Sequence, residues 1–433
     1  MEKGKLSCIV ALIFFIFLMG SAAFLGKAGA IGVMPAPNPP PSKVKGFSAI
    51  LLKHKIFYVS VSGNDDNNGT IKSPFRTLKR ALYEVSPGDI VLIRKGIYDI
   101  DVGVNMSGSP GHPVIIEAYP GEQVIFDGSG YDPSVSVKYR ITGSWLVIRN
   151  LEVRNGPSDG VLLTEGAGYN VLENLKVHDN YFAGIELENG AHHNIIRDCD
   201  SYRNFDYGSS KGEHADGFGA KFSVGPGNVF TGCRAWNNSD DGFDLWEAGK
   251  PVTIEYCWAW GNGFDIWGVG DAFQGDGNGF KLGPGSPVIH HCLSWHNARR
   301  GFDYNDATEA IRAYNNTSYK NQLHGFKFAF GPHVLRNNLS FMDGENYIGP
   351  KVDDAYNSWN TSPGITVSTK DFLSLDDTKA RGPRKNGGGL PETNFLRLSP
   401  ASSLIDAGID VGLPFYGKSP DIGARESLYQ RSP

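Results

Sequence analysis

Five side chains in this sequence have the types and spacing to do chemistry together. Asp240, Asp241 and Asp244 crowd one short stretch, Asp216 stands 24 residues before Asp240, and Lys281 follows. Like charges gathered at one place repel and raise one another's pKa unless a cation neutralises them. Oxygen donors in that number suit Ca²⁺, which takes about six to eight, better than Mg²⁺, which demands a tight octahedron. The competing reading is an acidic turn facing water, because Asp-Gly is a common turn pair. A lysine beside a bound divalent cation is pushed toward its neutral form and can then take a proton. The plainer alternative for Lys281 is a salt bridge to Asp244 or Asp303.

A repeat must position these residues. One phrase recurs eight times, and its second residue falls at Leu151, Leu175, Cys199, Cys233, Cys257, Cys292, Asn316 and Asn338, in steps of 24, 24, 34, 24, 35, 24 and 22. A period near 24 with short strands predicts an all-β solenoid of stacked coils. The two long steps are coils with insertions, Phe205 to Ala215 and Gly263 to Gly275, placed to wall a groove. Within the phrase, Cys233 and Ala235 point inward and Arg234 and Trp236 outward. An asparagine column at 180, 204, 238, 262, 297 and 321 closes the phrase as a structural turn ladder. After each turn a second strand column begins. Phe218, Phe243, Phe280, Phe302 and Phe326 point in, so Glu186, Gly219, Asp244, Lys281, Asp303 and Lys327 line up outward. This register puts Lys281 one coil from Asp244. Trp236, Trp260 and Trp295 form an outward stack on the preceding column. Such rings line sugar sites or pack beneath a loop.

Composition bounds the rest. The net charge of -5 argues against a nucleic-acid binder, which carries a basic face. It leaves open a polyanion bridged by a cation. Lys3, Lys5, the apolar run Ile9 to Leu18 and Ala28-Gly29-Ala30 read as a secretory signal over residues 1–30, with an uncleaved anchor as the alternative. A Pro-rich linker follows over 31–52, and nothing later is apolar enough to span a bilayer. A secreted monomer is expected. Cys199, Cys233, Cys257 and Cys292 share one repeat position. Their one-coil spacing tolerates a disulfide, but a packed column of free thiols is the expectation. A helix opened by Ser73-Pro74 and running through Glu84 should cap the first coil of a β-helix domain over 53–350. Residues 351–433 read as an irregular segment packing on or capping the solenoid.

Three runs carry a family likeness: His214-Ala215-Asp216-Gly217-Phe218-Gly219-Ala220-Lys221, Asp240-Asp241-Gly242-Phe243-Asp244-Leu245-Trp246 and Gly277-Asn278-Gly279-Phe280-Lys281-Leu282-Gly283. They resemble polysaccharide lyase family 9, secreted pectate lyases. The resemblance implies a right-handed parallel β-helix of about ten coils. It further implies one Ca²⁺ held by Asp216, Asp240, Asp241 and Asp244, with Lys281 as the Brønsted base. The implied substrate is the galacturonan backbone of pectin, cleaved without water by β-elimination to a 4,5-unsaturated uronate. An arginine that holds the uronate is expected, with Arg299, Arg300 and Arg312 as candidates by neighbourhood. Lys221, Asp303, Trp260 and Trp295 are further candidates for touching substrate. Two other readings compete: a polygalacturonase-type hydrolase, which needs acidic residues free of calcium, and a non-enzymatic carbohydrate-binding β-helix.

Overall fold

The computed structural model describes residues 54–427, apart from 133, 209, 362 and 363. The expected secretory signal and Pro-rich linker lie outside the described residues. Three parallel sheets of 12, 10 and 10 strands build a right-handed β-helix. Along each coil the chain visits a first sheet, for example Leu146–Arg149, then a second, Glu152–Arg154, then a third, Val161–Leu163. Every strand pairs with its equivalents one coil before and after, as Leu162 does with Arg140 and Glu186. Ten strands in each of the second and third sheets correspond to the expected ten coils.

Two corners explain the repeated phrase. Between the first and second sheets the chain turns on a single residue with positive φ: Asn150 (60°), Asn174 (53°), Asp198 (53°) and Gly232 (65°). Asn, Asp and Gly reach that left-handed region at least cost. Tyr256 and His291 take the same turn at 53° and 54°. Between the second and third sheets runs the asparagine ladder. Each Nδ2 donates to the next Oδ1, from Asn180 through Asn204, Asn238, Asn262 and Asn297 to Asn321, at 2.8–3.0 Å. The same oxygens accept backbone N–H groups that the corner leaves without strand partners, as Asn262 Oδ1 does from Asn238. A second ladder, Asn170–Asn194–Asn228, leads into the first sheet.

Inside the coils, the third sheet is held by a file of parallel rings. Phe218, Phe243, Phe280, Phe302 and Phe326 stack at 4.7–5.0 Å between centroids. The four cysteines are buried free thiols.

The N-terminal helix is shorter than expected, Leu78–Glu84, and starts at Thr77 rather than at Ser73. Thr77 accepts the Arg80 N–H at 3.1 Å. Residues 73–75 stay extended because Phe75 bridges to Val59 and its N–H donates to the Tyr58 carbonyl at 2.9 Å. Strand-like pairing there outweighs the helix-start preference of proline. At the other end, Phe372, Phe395, Leu398, Leu404 and Ile422 pack as one apolar cluster over Trp258, Trp260 and Trp295 of the second sheet. The C-terminal segment therefore covers that face.

Candidate active site

On the third sheet the phenylalanine file sets every outward neighbour in register. Gly219 pairs with Asp244, Asp244 with Lys281, and Lys281 with Asp303. Glu186, Asp244 and Lys281 of this column floor an open groove of about 770 Å³, which starts at Lys138 and Asp159. Glu213, His214, Gln274 and Asp276 wall it, so the two inserted stretches do border the groove.

Asp216, Asp241 and Asp244 are buried and offer oxygens that all lie within 4.8 Å of one another. Each spends one oxygen on holding its own position. Asp216 Oδ1 accepts the Asp241 N–H at 3.0 Å, and Asp244 Oδ1 the Trp246 N–H at 2.9 Å. Asp241 Oδ1 accepts the Asn278 backbone and side-chain N–H groups at 2.6 and 2.8 Å. The other oxygens turn inward. There Asp241 Oδ2 is buried and accepts no hydrogen bond. Two ammonium groups answer the three carboxylates. Lys221 Nζ contacts Asp216 closely and lies 3.2 Å from Asp244 Oδ2. Lys281 Nζ lies 3.2 Å from Asp241 Oδ2 and 3.5 Å from Asp244 Oδ2. Three converging carboxylates, one of whose oxygens accepts no hydrogen bond and meets only the Lys281 ammonium, fit a divalent cation by donor chemistry.

The electrostatics follow from burial and imbalance. Burial, together with the charges of Asp216 and Asp244 and against that of Lys281, pushes Asp241 up to about 7. Asp240 is also raised well above its ordinary value, first by burial and then by Asp241 and Asp216. Burial opposes the charge on Lys281, but Asp241, Asp244, Asp240 and Asp216 outweigh it and hold the ammonium protonated. Lys221 is held protonated in the same way by Asp216, Asp244 and Glu186.

The remaining expected residues divide. Asp240 lines the groove but stands beside the triad, its Oδ1 accepting the Asp276 N–H at 2.6 Å. Arg299 pairs closely with Asp276, whose other oxygen is 3.9 Å from Lys281 Nζ. Arg300 pairs with Asp303 at 2.7 Å, one coil above Lys281, and Lys327 reaches Asp303 at 3.6 Å. Two expectations are corrected. Arg312 stands on the first sheet, paired with Val288 and Val334, and not on the groove face. Trp260 and Trp295, 2% and 0% exposed, point outward from the second sheet but are buried in one apolar cluster with the C-terminal segment, Trp295 against Phe395 and with its Nε1 donating to Asp377 at 2.8 Å. Their faces are packed against protein, which leaves no room for a sugar.

Three groove-side residues escaped the sequence reading of the site. Glu186 was visible in the outward column, but nothing gave it a role. Its Oε1 is buried without a partner, and burial raises its pKa well above the carboxylate range. Gly219 makes room for it, because a Cβ there would sit 1.9 Å from Glu186 Oε2. Asp276 lies just past the second insertion, and Asn278 holds the place before Gly279-Phe280 that Asp241 holds before Gly242-Phe243, so the repeat places Asn278 but gives its amide no role.

A triangular solenoid with a charged groove on one sheet, floored by clustered aspartates and a lysine, defines a polysaccharide lyase of the parallel β-helix class. The family profile described as Pel9A-like, right handed beta helix region, matches residues 57–338. The chain belongs to this family, polysaccharide lyase family 9, and is a lyase. It is 37% identical over 395 residues to pectate lyase L of Dickeya dadantii (strain 3937), covering 86% of this chain and 90% of that protein. The crystal structure of pectate lyase Pel9A superposes with a TM-score of 0.78 at 36% identity, covering 86% of this chain and 96% of the other. A rhamnogalacturonan lyase superposes at 0.71 with 29% identity, covering 80% and 96%. Among the described residues no helix is long and apolar enough to cross a membrane.

Proposed function

We propose that this protein cleaves the α-1,4-linked galacturonan of pectate by calcium-dependent β-elimination, with Lys281 as the base. The observation that carries the reading is the buried triad Asp216, Asp241 and Asp244 with Lys281 Nζ against two of its members, at the floor of an open groove. Asp216, Asp241 and Asp244 would hold the Ca²⁺, with Asp240 beside them. A bound Ca²⁺ would supply positive charge that favours loss of the C5 proton of a uronate. Aspartates engaged by such a cation would relax their hold on the Lys281 ammonium and let it serve as a base. Lys281 Nζ then takes the C5 proton. The C5 electron pair forms the C4=C5 double bond as the C4–O bond breaks, and the departing oxygen is protonated by water. Lys221 holds Asp216 and Asp244 in place and stays charged. Arg300, Lys327 and Arg299 provide cationic groups beside the groove floor for further uronates.

The likeness to a rhamnogalacturonan lyase favours one second reading, in which the backbone alternates rhamnose with galacturonate and the elimination is the same. One assay tests both. De-esterified polygalacturonate and rhamnogalacturonan are each digested with and without chelator, and ultraviolet absorbance and product mass are recorded. Unsaturated products from polygalacturonate that vanish with chelator are expected. Saturated products, or turnover that ignores chelator, would falsify the proposal.

A further inference from the structure

A second cavity, of about 410 Å³, opens on another face of the molecule, between the second sheet and the C-terminal segment. Its volume lies within the range of small-ligand sites, about 300–1,000 Å³. Its chemistry is unlike that of the groove. Arg397 and Arg425 both line it, and both donate to one acceptor, the Thr393 carbonyl, at 3.1 and 2.9 Å. Among the described residues neither guanidinium forms an ion pair with a carboxylate. The acids of the cavity are turned elsewhere. Glu426 accepts the Asp421 and Tyr416 N–H groups at 3.1 and 3.4 Å, and Glu392 pairs with Lys385 at 3.7 Å.

Two half-buried cations sharing a single neutral acceptor are under-compensated. Arg425 sits 5.0 Å over the Trp258 ring, which offsets part of that deficit. Burial first, and then the like charge of Arg397, still push Arg425 down to about 9. Arginine keeps its proton even so. The cavity therefore presents fixed positive charge with donors to spare. Beside it stand two exposed aromatic rings, Tyr256 at 42% and Tyr416 at 65%. Arginine donors match a carboxylate two-pronged, and tyrosine rings offer apolar faces to the faces of a sugar.

We infer that this cavity is a second, non-catalytic binding site for a uronate of an acidic polysaccharide, its carboxylate held by Arg397 and Arg425 and its ring by Tyr256 or Tyr416. Placed on another face from the groove, it tethers the enzyme to polymer without competing for the cleavage site. The inference rests on the uronate reading of the substrate.

The test is a calorimetric titration of trigalacturonate into the full-length Lys281→Ala protein in chelator, which prevents turnover and removes cation-dependent binding in the groove. One site per chain is expected to persist. It should weaken by about tenfold or more in an added Arg397→Gln or Arg425→Gln change, and a neutral trisaccharide should not fill it. Two arginine variants are used so that misfolding of one leaves the other to decide. In the otherwise unchanged enzyme, Arg397→Gln should keep kcat/KM on trigalacturonate and lose activity on long or insoluble pectate. The inference is overturned if no chelator-resistant site exists, or if neither arginine variant weakens it. Equal binding of the neutral sugar overturns it as well, as does binding that appears only in a chain ending at Ser427, where the natural tail would be the occupant. Cleavage of polygalacturonate without a chelator-resistant site defeats this inference alone. Chelator-resistant binding without any cleavage supports it and defeats the substrate reading alone.

Discussion

The second and third sheets present their outward residues in the same way, yet only one of them carries a reactive face. On the second sheet, Tyr202, Trp236, Trp260 and Trp295 stack outward at 4.3–4.9 Å, coil upon coil. On the third, Glu186, Gly219, Asp244, Lys281 and Asp303 stand in equivalent register. Each face also holds an ion pair shielded from water. Arg234 on the second sheet meets Asp200 with a two-pronged pair at 2.8 and 2.7 Å, and donates again to the Gly382 carbonyl at 2.7 Å. Arg384 joins the same Asp200 at 2.8 Å and reaches Asp198 at 3.6 Å, so two arginines meet two aspartates and the charge is matched. The groove cluster sets three buried carboxylates against two lysines and leaves Asp241 Oδ2 without a hydrogen bond. Buried charge that is fully paired serves the fold, whereas buried charge left unbalanced is poised to receive something.

That contrast is breakable at both faces. The largest effect belongs to Lys281→Ala. A positioned general base contributes about 10²–10⁴-fold to rate, so formation of unsaturated product should drop by at least that factor while circular dichroism stays unchanged. Turnover near the parent rate would remove the mechanism. Next is Asp241→Asn, which keeps an oxygen for Asn278 but removes one of three like charges. Calcium affinity, read by calorimetry, should fall about tenfold or more, and activity with it. In chelator its thermal midpoint should equal or exceed that of the parent, because two carboxylates then face two ammonium groups. A lower midpoint in chelator would mean that the cluster is an ordinary structural salt bridge. On the covered face, Trp295→Ala removes a ring with 0% exposure. It should cost about 3–5 kcal/mol of stability, measured by denaturant unfolding, with KM unmoved in the folded fraction. A raised KM at unchanged stability would return the tryptophan stack to the substrate.

The site was legible in the sequence to the extent that the repeat carried it. The recurring Gly-Phe column fixed which residues face out on the third sheet, and so set Asp216, Asp240, Asp241, Asp244 and Lys281 in one neighbourhood, of which the fold converges three carboxylates and leaves Asp240 beside them. The register says which way a side chain points and is silent on what lies above it. Trp295 is covered by Asp377 and Phe395, 82 and 100 residues away, from a segment with no period of its own. Arg312 was misplaced for a related reason. Nearness in sequence to Arg300 hid the corner that carries it to the first sheet. Asp276 follows an insertion directly, where the spacing has only just resumed, and Asn278 is in register with Asp241, but the register does not show that its N–H groups hold that carboxylate. The helix start failed more locally, because the pairing of Phe75 with the first strand competes with the preference of Ser73-Pro74 and prevails.

The smallest effect lies at the corner that joins the two faces. The asparagine ladder ends on an aspartate, Asp343, which accepts the Asn321 N–H and Nδ2 at 2.8 and 3.0 Å and the Ser340 hydroxyl at 2.8 Å. Earlier rungs put an asparagine in that place, with Nδ2 donating to the serine three residues back, as Asn297 does to Ser294 and Asn321 to Ser318. Burial pushes Asp343 up to about 6 from its ordinary 3.8, outweighing the hydrogen bonds it accepts. The folded state therefore binds this proton more tightly than the unfolded one. Stability from this site is greatest below about pH 4 and declines as pH rises through about 6. Asp343→Asn completes the ladder with an uncharged rung, since the serine hydroxyl can accept where it formerly donated. The variant should match the parent near pH 4 and exceed it by on the order of 1–2 kcal/mol at pH 7, with kcat/KM on polygalacturonate unchanged. Paired denaturant titrations at the two pH values read the difference directly. A variant less stable than the parent at pH 7 would show that the corner needs the charge, and that the ladder binds the two faces by something other than its amide hydrogen bonds.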